Sequence, residues 1–235
     1  METLHILQQS EFQVLAAAVG FTNIYGIRSD IEIDETAVMY GIHEMVQKGI
    51  LKPIGDNFEI SEPLKSAFLN LRDATSILAA TGIGERKDNA CFYIGEKIIS
   101  VEESSTDKNA VKIGIYERTE LYECLLERGF LPEPFVEEDI ACMQPEEEML
   151  SELPGESIKD IASTDQLDLS GANVEEAVAA QYLCIYPKEA REVKKAFYLI
   201  NNSCNYWIAQ KDADSIEFAQ YNPDELYERV TAVLR

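Results

Sequence analysis

Histidine is nearly absent from this sequence. Only His5 and His43 occur in 235 residues, and neither stands in a metal-ligand spacing such as His-Glu-x-x-His. Imidazole bases and imidazole-held zinc therefore have little to be built from. Cysteine is scattered. Cys91, Cys124, Cys142, Cys184 and Cys204 are odd in number and form no Cys-x-x-Cys pair, which excludes a zinc ribbon or dithiol motif and suits reduced, buried thiols in a cytosol. Cations are scarce too: 20 Lys and Arg against 43 Asp and Glu give a formal charge of −23. Such a surface repels nucleic acid, whose recognition rests on phosphate contacts, and leaves neutral or basic partners. No apolar run reaches the roughly 18 to 20 residues that a membrane helix requires. Met1-Glu2-Thr3-Leu4-His5 lacks the basic-then-apolar layout of a signal peptide. The expectation is a soluble cytoplasmic protein with neither membrane nor nucleic-acid partners.

Catalytic patterns are missing as well. There is no Gly-x-Ser-x-Gly elbow. Gly82-Ile83-Gly84 lacks the third glycine, the lysine and the preceding strand of a phosphate loop, and reads as a hinge. Glutamate pairs are too abundant for any two to be chosen as acid and base. No catalytic, cofactor-binding or metal residue is assigned, no cofactor is expected, and an enzyme is not expected.

A repeat is present. Tyr116 is followed, after three residues, by Glu120-Leu121-Tyr122-Glu123, and Tyr221 at the same spacing by Glu225-Leu226-Tyr227-Glu228. The same 105-residue offset lays Phe92-Tyr93 on Phe197-Tyr198, Val111 on Ile216 and Ile113 on Phe218. One offset satisfying strand-like and helix-like segments together points to a duplicated meander-plus-helix unit.

Residues 4 to about 80 read as a helical module. Ser10 and Gln13 make a capping box; Phe12, Leu15, Ala16 and Val19 mark one face, and Gly20 ends the helix. A second helix turns Val38, Ile42, Met45 and Val46 inward and stops at Lys48-Gly49, the cation suiting the negative dipole end. Ile50-Leu51 and Phe58-Glu59-Ile60 flank Gly55-Asp56-Asn57 as a hairpin. Ser61-Glu62-Pro63 opens a third helix with Leu64, Phe68 and Leu71 buried. Helix, helix, hairpin, helix is a winged-helix outline, which makes a winged-helix transcriptional regulator the alternative reading. Against DNA binding, residues 1–80 hold five basic side chains and eleven acids.

Strands are predicted at 90–94, 97–102 and 109–117. In the last, Val111, Ile113 and Ile115 share one face, and Lys112, Gly114 and Tyr116 the other. A helix over 120–129 puts Leu121, Leu125 and Leu126 inward. Residues 133–176 hold fourteen acids and one lysine, broken by prolines, and read as an acidic connection. Four strands are then predicted at 181–186, 194–200, 205–210 and 215–221. Asn222-Pro223-Asp224-Glu225 starts a closing helix whose Leu226, Val230 and Leu234 pack inward.

The fold class is α+β: a central antiparallel β-sheet from two quasi-symmetric meander-plus-helix halves, with an N-terminal winged-helix-like module. The segments are the module at 1–85, the first half at 86–132, the acidic connection at 133–178 and the second half at 179–235, within one compact domain.

Three stretches, with the two mirrored halves, resemble the EspG-type chaperones of type VII (ESX) secretion and their Gram-positive relatives. They are Glu11-Phe12-Gln13-Val14-Leu15-Ala16 with Gly20, Met45-Val46-Gln47-Lys48-Gly49-Ile50-Leu51, and Phe58-Glu59-Ile60-Ser61-Glu62-Pro63-Leu64, followed by strands from Ala90. The likeness is architectural and covers most of the chain. It implies a cytosolic chaperone or adaptor that holds a helical-hairpin secreted protein of a type VII secretion locus. It also implies contact through the loop between the second and third strands, which here is Ser104, Ser105, Thr106, Asp107 and Lys108, and through the final helix, Glu225 to Leu234. The loop departs from the family pattern in having no apolar residue to receive a helical tip.

Overall fold

The computed structural model describes residues 3–21, 24–27, 35–81, 89–104, 106–107, 109–131, 181–187, 195–201, 206–211 and 216–234. The acidic stretch 133–176, the Gly82–Gly84 hinge, Ser105 and Lys108 lie outside them.

The chain opens with strand β1 (Thr3–Gln8) and helix α1 (Gln9–Ala18). Helix α2 (Glu35–Gln47), the hairpin β2 (Leu51–Ile54) and β3 (Asn57–Ile60), and helix α3 (Leu64–Asp73) follow. Next come β4 (Ser76–Thr81), then β5 (Asn89–Ile94), β6 (Ile98–Glu103) and β7 (Ala110–Tyr116). A 3-10 turn at Arg118–Glu120 leads into α4 (Leu121–Glu127). After the acidic stretch come β8 (Gln181–Pro187), β9 (Lys195–Asn201), β10 (Tyr206–Lys211) and β11 (Ile216–Gln220), and α5 (Pro223–Leu234) closes the chain. With antiparallel ladders and separate helices, the class is α+β.

Two elements differ from the helical reading of residues 4–80. β1 and β4 are strands, because each finds its ladder partner far along the chain: Thr3 lies opposite Ile115, and Ser76 opposite Pro187. A short apolar run has no period that separates strand from helix, so distant pairing decides.

The chain divides into two compact units, Met1–Thr75 with Ala90–Arg118, and Ser76–Asn89 with Thr119–Arg235. In the first, β1, β7, β6 and β5 form an antiparallel ladder in that order. The chain leaves the ladder at Gln8, whose N–H donates to Glu11 Oε2 at 2.9 Å, and the Gln9 N–H still reaches Asn109 O at 2.7 Å. Helix α1 therefore starts two residues before the Ser10 cap expected from the sequence. Phe12 and Phe68 are fully buried, with ring centroids 5.2 Å apart, and lock α1 to α3. Removing each ring from water is worth roughly 1.5–3 kcal/mol.

Strand β7 is not one-sided as the alternation predicts. Gly114 and Tyr116 are buried together with Val111 and Ile113, and Ile115 is only half-buried. Both faces are covered: neighbouring Phe92 and Tyr93 on β5 point to opposite faces and are both fully buried. On one face the Tyr116 and Phe92 rings lie 6.5 Å apart. On the other the Tyr93 hydroxyl donates to Tyr25 O at 3.0 Å and accepts the Tyr25 N–H at 2.6 Å, fastening the segment after α1 over the strand.

In the second unit β4, β8, β9, β10 and β11 form an antiparallel ladder in that order. Ile77, Leu78, Leu183, Ile185, Phe197, Leu199 and Ile208 are buried on it. Helix α5 starts where the sequence predicts, with Asn222 Oδ1 accepting the N–H groups of Asp224 at 3.0 Å and Glu225 at 3.2 Å.

Candidate interaction surfaces

The loop after β6 is held by its own polar groups. Ser104 is buried, its N–H donates to Ala110 O at 2.8 Å, and its Oγ is hydrogen-bonded to Thr106 Oγ1 at 3.1 Å. Asp107 Oδ1 accepts the Asn109 N–H at 2.9 Å, and Asp107 O accepts the Ala110 N–H at 2.9 Å. This is an Asx-type turn, in which a short side chain stands in for a backbone acceptor. Thr106 and Asp107 are exposed at its tip, whereas Ser104 serves the turn from inside. Ser105 and Lys108 of the same loop lie outside the described residues.

Helix α5, the other candidate contact element, packs through Leu226 and Val230, both buried, and the preceding helix α4 through Leu121, Cys124 and Leu125. Leu126, placed inward by the sequence reading, is only half-buried, and Cys124 takes that role. Arg229 grips Glu225 Oε1 through Nη2 at 2.6 Å and reaches Gln210 Oε1 at 3.3 Å, tying α5 to β10. The two helices meet through tyrosines: the Tyr122 and Tyr227 rings lie 4.8 Å apart, and the Tyr122 hydroxyl donates to Asp224 Oδ1 at 2.9 Å. Burial first, and then that carboxylate, raise the Tyr122 phenol above its usual range.

Positions 122 and 227 are equivalents under the 105-residue offset, and they touch. Ala79 and Cys184 are separated by the same offset and stand directly opposite each other in the β4–β8 ladder. The repeated letters at Tyr122 and Tyr227 were the available signal for this contact.

The titratable groups inside the molecule are set for packing. Burial pushes the Cys91 thiol up to about 12, leaving essentially no thiolate at neutral pH. Burial also holds the Tyr93 phenol well above its usual range. His5 Nε2 has no hydrogen-bond partner among the described residues, and burial lowers its pKa, so the ring is neutral at pH 7. Among the described residues no three His, Cys, Asp or Glu side chains are grouped to hold a metal ion. Among them, too, no helix is long and apolar enough to cross a membrane.

No protein-family model matches the sequence, and no curated protein matches it. The fold does match solved structures. The chain is similar to the Mycobacterium tuberculosis type VII secretion system chaperone EspG5, solved in complex with a PE25-PPE41 dimer. The TM-score is 0.57 at 13% identity, over 99% of this chain and 96% of that one. At that identity the likeness is one of fold.

Proposed function

We propose that the chain is a cytosolic chaperone or adaptor that holds a helical-hairpin secreted protein of a type VII secretion locus before export. The observation that carries the reading is the end-to-end likeness in fold to a secretion chaperone solved with a PE25-PPE41 dimer. The interior chemistry is consistent with it, since the thiol and phenol that burial shifts are held in their neutral forms. The partner would be met by the loop Ser104, Ser105, Thr106, Asp107 and Lys108 and by α5. The winged-helix regulator is less well supported, because the exposed face of α2 carries no cation to meet a phosphate.

Co-expression with the small helical proteins encoded beside its gene tests this. A stoichiometric complex on size-exclusion chromatography is expected, and failure to retain any of them overturns the assignment. The substitution Thr106→Arg, at the exposed loop tip, is expected to weaken that complex at least tenfold with the thermal transition nearly unchanged. Unchanged affinity would remove the loop from the interface without touching the chaperone role.

The scaffold is two copies of one building block, β4 to α4 and β8 to α5, in our reading. Its support is the shared offset, the meander order repeated in β5-β6-β7 and β9-β10-β11, and the two self-equivalent contacts. Side chains directly opposed in an antiparallel pair have Cβ atoms about 4.5–5.5 Å apart. Ala79→Cys is therefore expected to be joined to Cys184 by a short bifunctional thiol reagent, identified by peptide mapping. Cross-linking of position 79 to another cysteine instead would show that the copies do not meet there.

A further inference from the structure

Helix α2 turns a stripe of uncharged side chains to the outside, with the Glu44 carboxylate hydrogen-bonded to the Tyr40 hydroxyl at its edge. Thr36, Met39, Tyr40, His43 and Gln47 recur at three- and four-residue steps and are all exposed. Met39 is 68% and Tyr40 66% exposed. In the hairpin that follows, Ile54 is 56% and Phe58 51% exposed, so four of the five large exposed hydrophobics among the described residues lie between positions 39 and 58.

The helix has little freedom to roll this stripe inward. Met45 on the opposite side is fully buried, and its carbonyl accepts the Ile50 N–H at 2.8 Å. At the C-terminal end Lys48 is bound to Glu11 of α1 at 2.7 Å. An ordinary solvated helix face carries Glu and Lys, and in a chain with 27% charged residues five consecutive outward positions without one are unusual. A charge-depleted centre with methionine and tyrosine is the composition of a protein interface core.

The charge balance selects the occupant. Nucleic acid needs free cations, and Lys48, beside the stripe, is paired with Glu11 and Glu44. A second copy would bring two chains of −23 together. We propose that α2 is a docking surface for an amphipathic helix of another protein, apolar at i, i+3, i+4 and i+7 and flanked by lysine or arginine. Apolar side chains would supply the contact, and the basic flanks would steer it toward an acidic chain. The stripe shares no residue with the loop 104–108 or with α5, so it stands whether or not the chaperone reading does.

The test uses the full chain and a synthetic leucine/lysine amphipathic peptide of about fourteen residues, roughly four helical turns, followed by fluorescence anisotropy and by NMR shifts. The double variant Met39→Gln/Tyr40→Gln leaves the charge unchanged and is expected to bind the peptide at least tenfold more weakly, with the wild-type shifts confined to α2. A second variant, His43→Lys, adds a cation on an exposed position and is expected to weaken binding as well, so that a folding defect in the first cannot decide the matter. Binding that survives both variants is general charge attraction and overturns the proposal. Equal binding of a leucine/glutamate peptide, or a concentration-dependent dimer that the double variant abolishes, overturns the choice of partner.

Discussion

Gly26→Ala is expected to lower stability by about 2–5 kcal/mol, measured by urea unfolding, and to drop the thermal midpoint by roughly 10 °C. Two costs add. Gly26 sits at φ +87°, a conformation that costs a side-chain-bearing residue about 1–2 kcal/mol. An added Cβ would also lie 2.9 Å from Cys91 Cβ, 3.0 Å from Cys91 Sγ and 3.1 Å from Val101 O. Those neighbours belong to β5 and β6 in the buried meander and have little room to yield, and overpacking of that kind costs about 1–3 kcal/mol. Moving the segment away would pull Tyr25 from the Tyr93 hydroxyl that satisfies both its N–H and its carbonyl. Gly20→Ala is the control. Its φ is +74°, but nothing lies within 4 Å of the added atom, so only the backbone cost of about 1–2 kcal/mol is expected. Equal losses in the two variants would show that the close approach at Gly26 contributes nothing.

Gly26 also shows where sequence reading stops. Signals that act over a few residues were legible: Asn222 capping α5, Gly49 closing α2 behind Met45, and Gly55 turning the hairpin. The meander order was legible because β5, β6 and β7 pair with their neighbours in the chain. Everything set by a distant partner was not. β1 and β4 have no period of their own and become strands only against β7 and β8. The one-sided alternation of β7 failed because its second face is covered too, and nothing local to Lys112 or Tyr116 records that. At the candidate surfaces, the polar letters of Ser104 to Lys108 were read as a contact loop without an apolar residue. That Ser104 is buried depends on its N–H reaching the Ala110 carbonyl and its hydroxyl reaching that of Thr106. On α2 the inward position of Met45 was legible, while Val38, Ile42 and Val46, read as inward with it, are only half-buried. The complement of that set, with Met39 and Tyr40 outside, was implied by the same helical spacing but breaks the rule that apolar letters face in.

Lys48→Met is expected to cost about 2–3 kcal/mol, and Glu11→Gln only about 1 kcal/mol, although both delete the same ion pair. The asymmetry follows from where the two charges sit. The Glu11 side chain is 2% exposed and that of Lys48 is 47% exposed, with the ammonium on the carboxylate at 2.7 Å. Removing the lysine strands a carboxylate away from water, supported among the described residues by the Gln8 N–H at 2.9 Å. Removing the carboxylate lets the lysine turn to solvent or stay on Glu44, 3.6 Å away, while glutamine still offers an oxygen to the Gln8 N–H. The usual figure of about 3–5 kcal/mol for breaking a buried pair is reduced here because one partner is half in water. The pH dependence carries a definite sign. The hydrogen bond to Glu11 raises the Lys48 pKa above its ordinary 10.5, so the pair's contribution is fully present below about pH 10.5 and is lost as pH climbs through the folded-state value. Wild type and Lys48→Met should therefore converge in stability under alkaline conditions and differ by a constant amount from pH 6 to 9. Equal losses in the two variants at pH 7 would overturn the asymmetry, and a gap that does not narrow in alkali would mean that the contact of Lys48 with Glu11 adds nothing to the joint between α1 and α2.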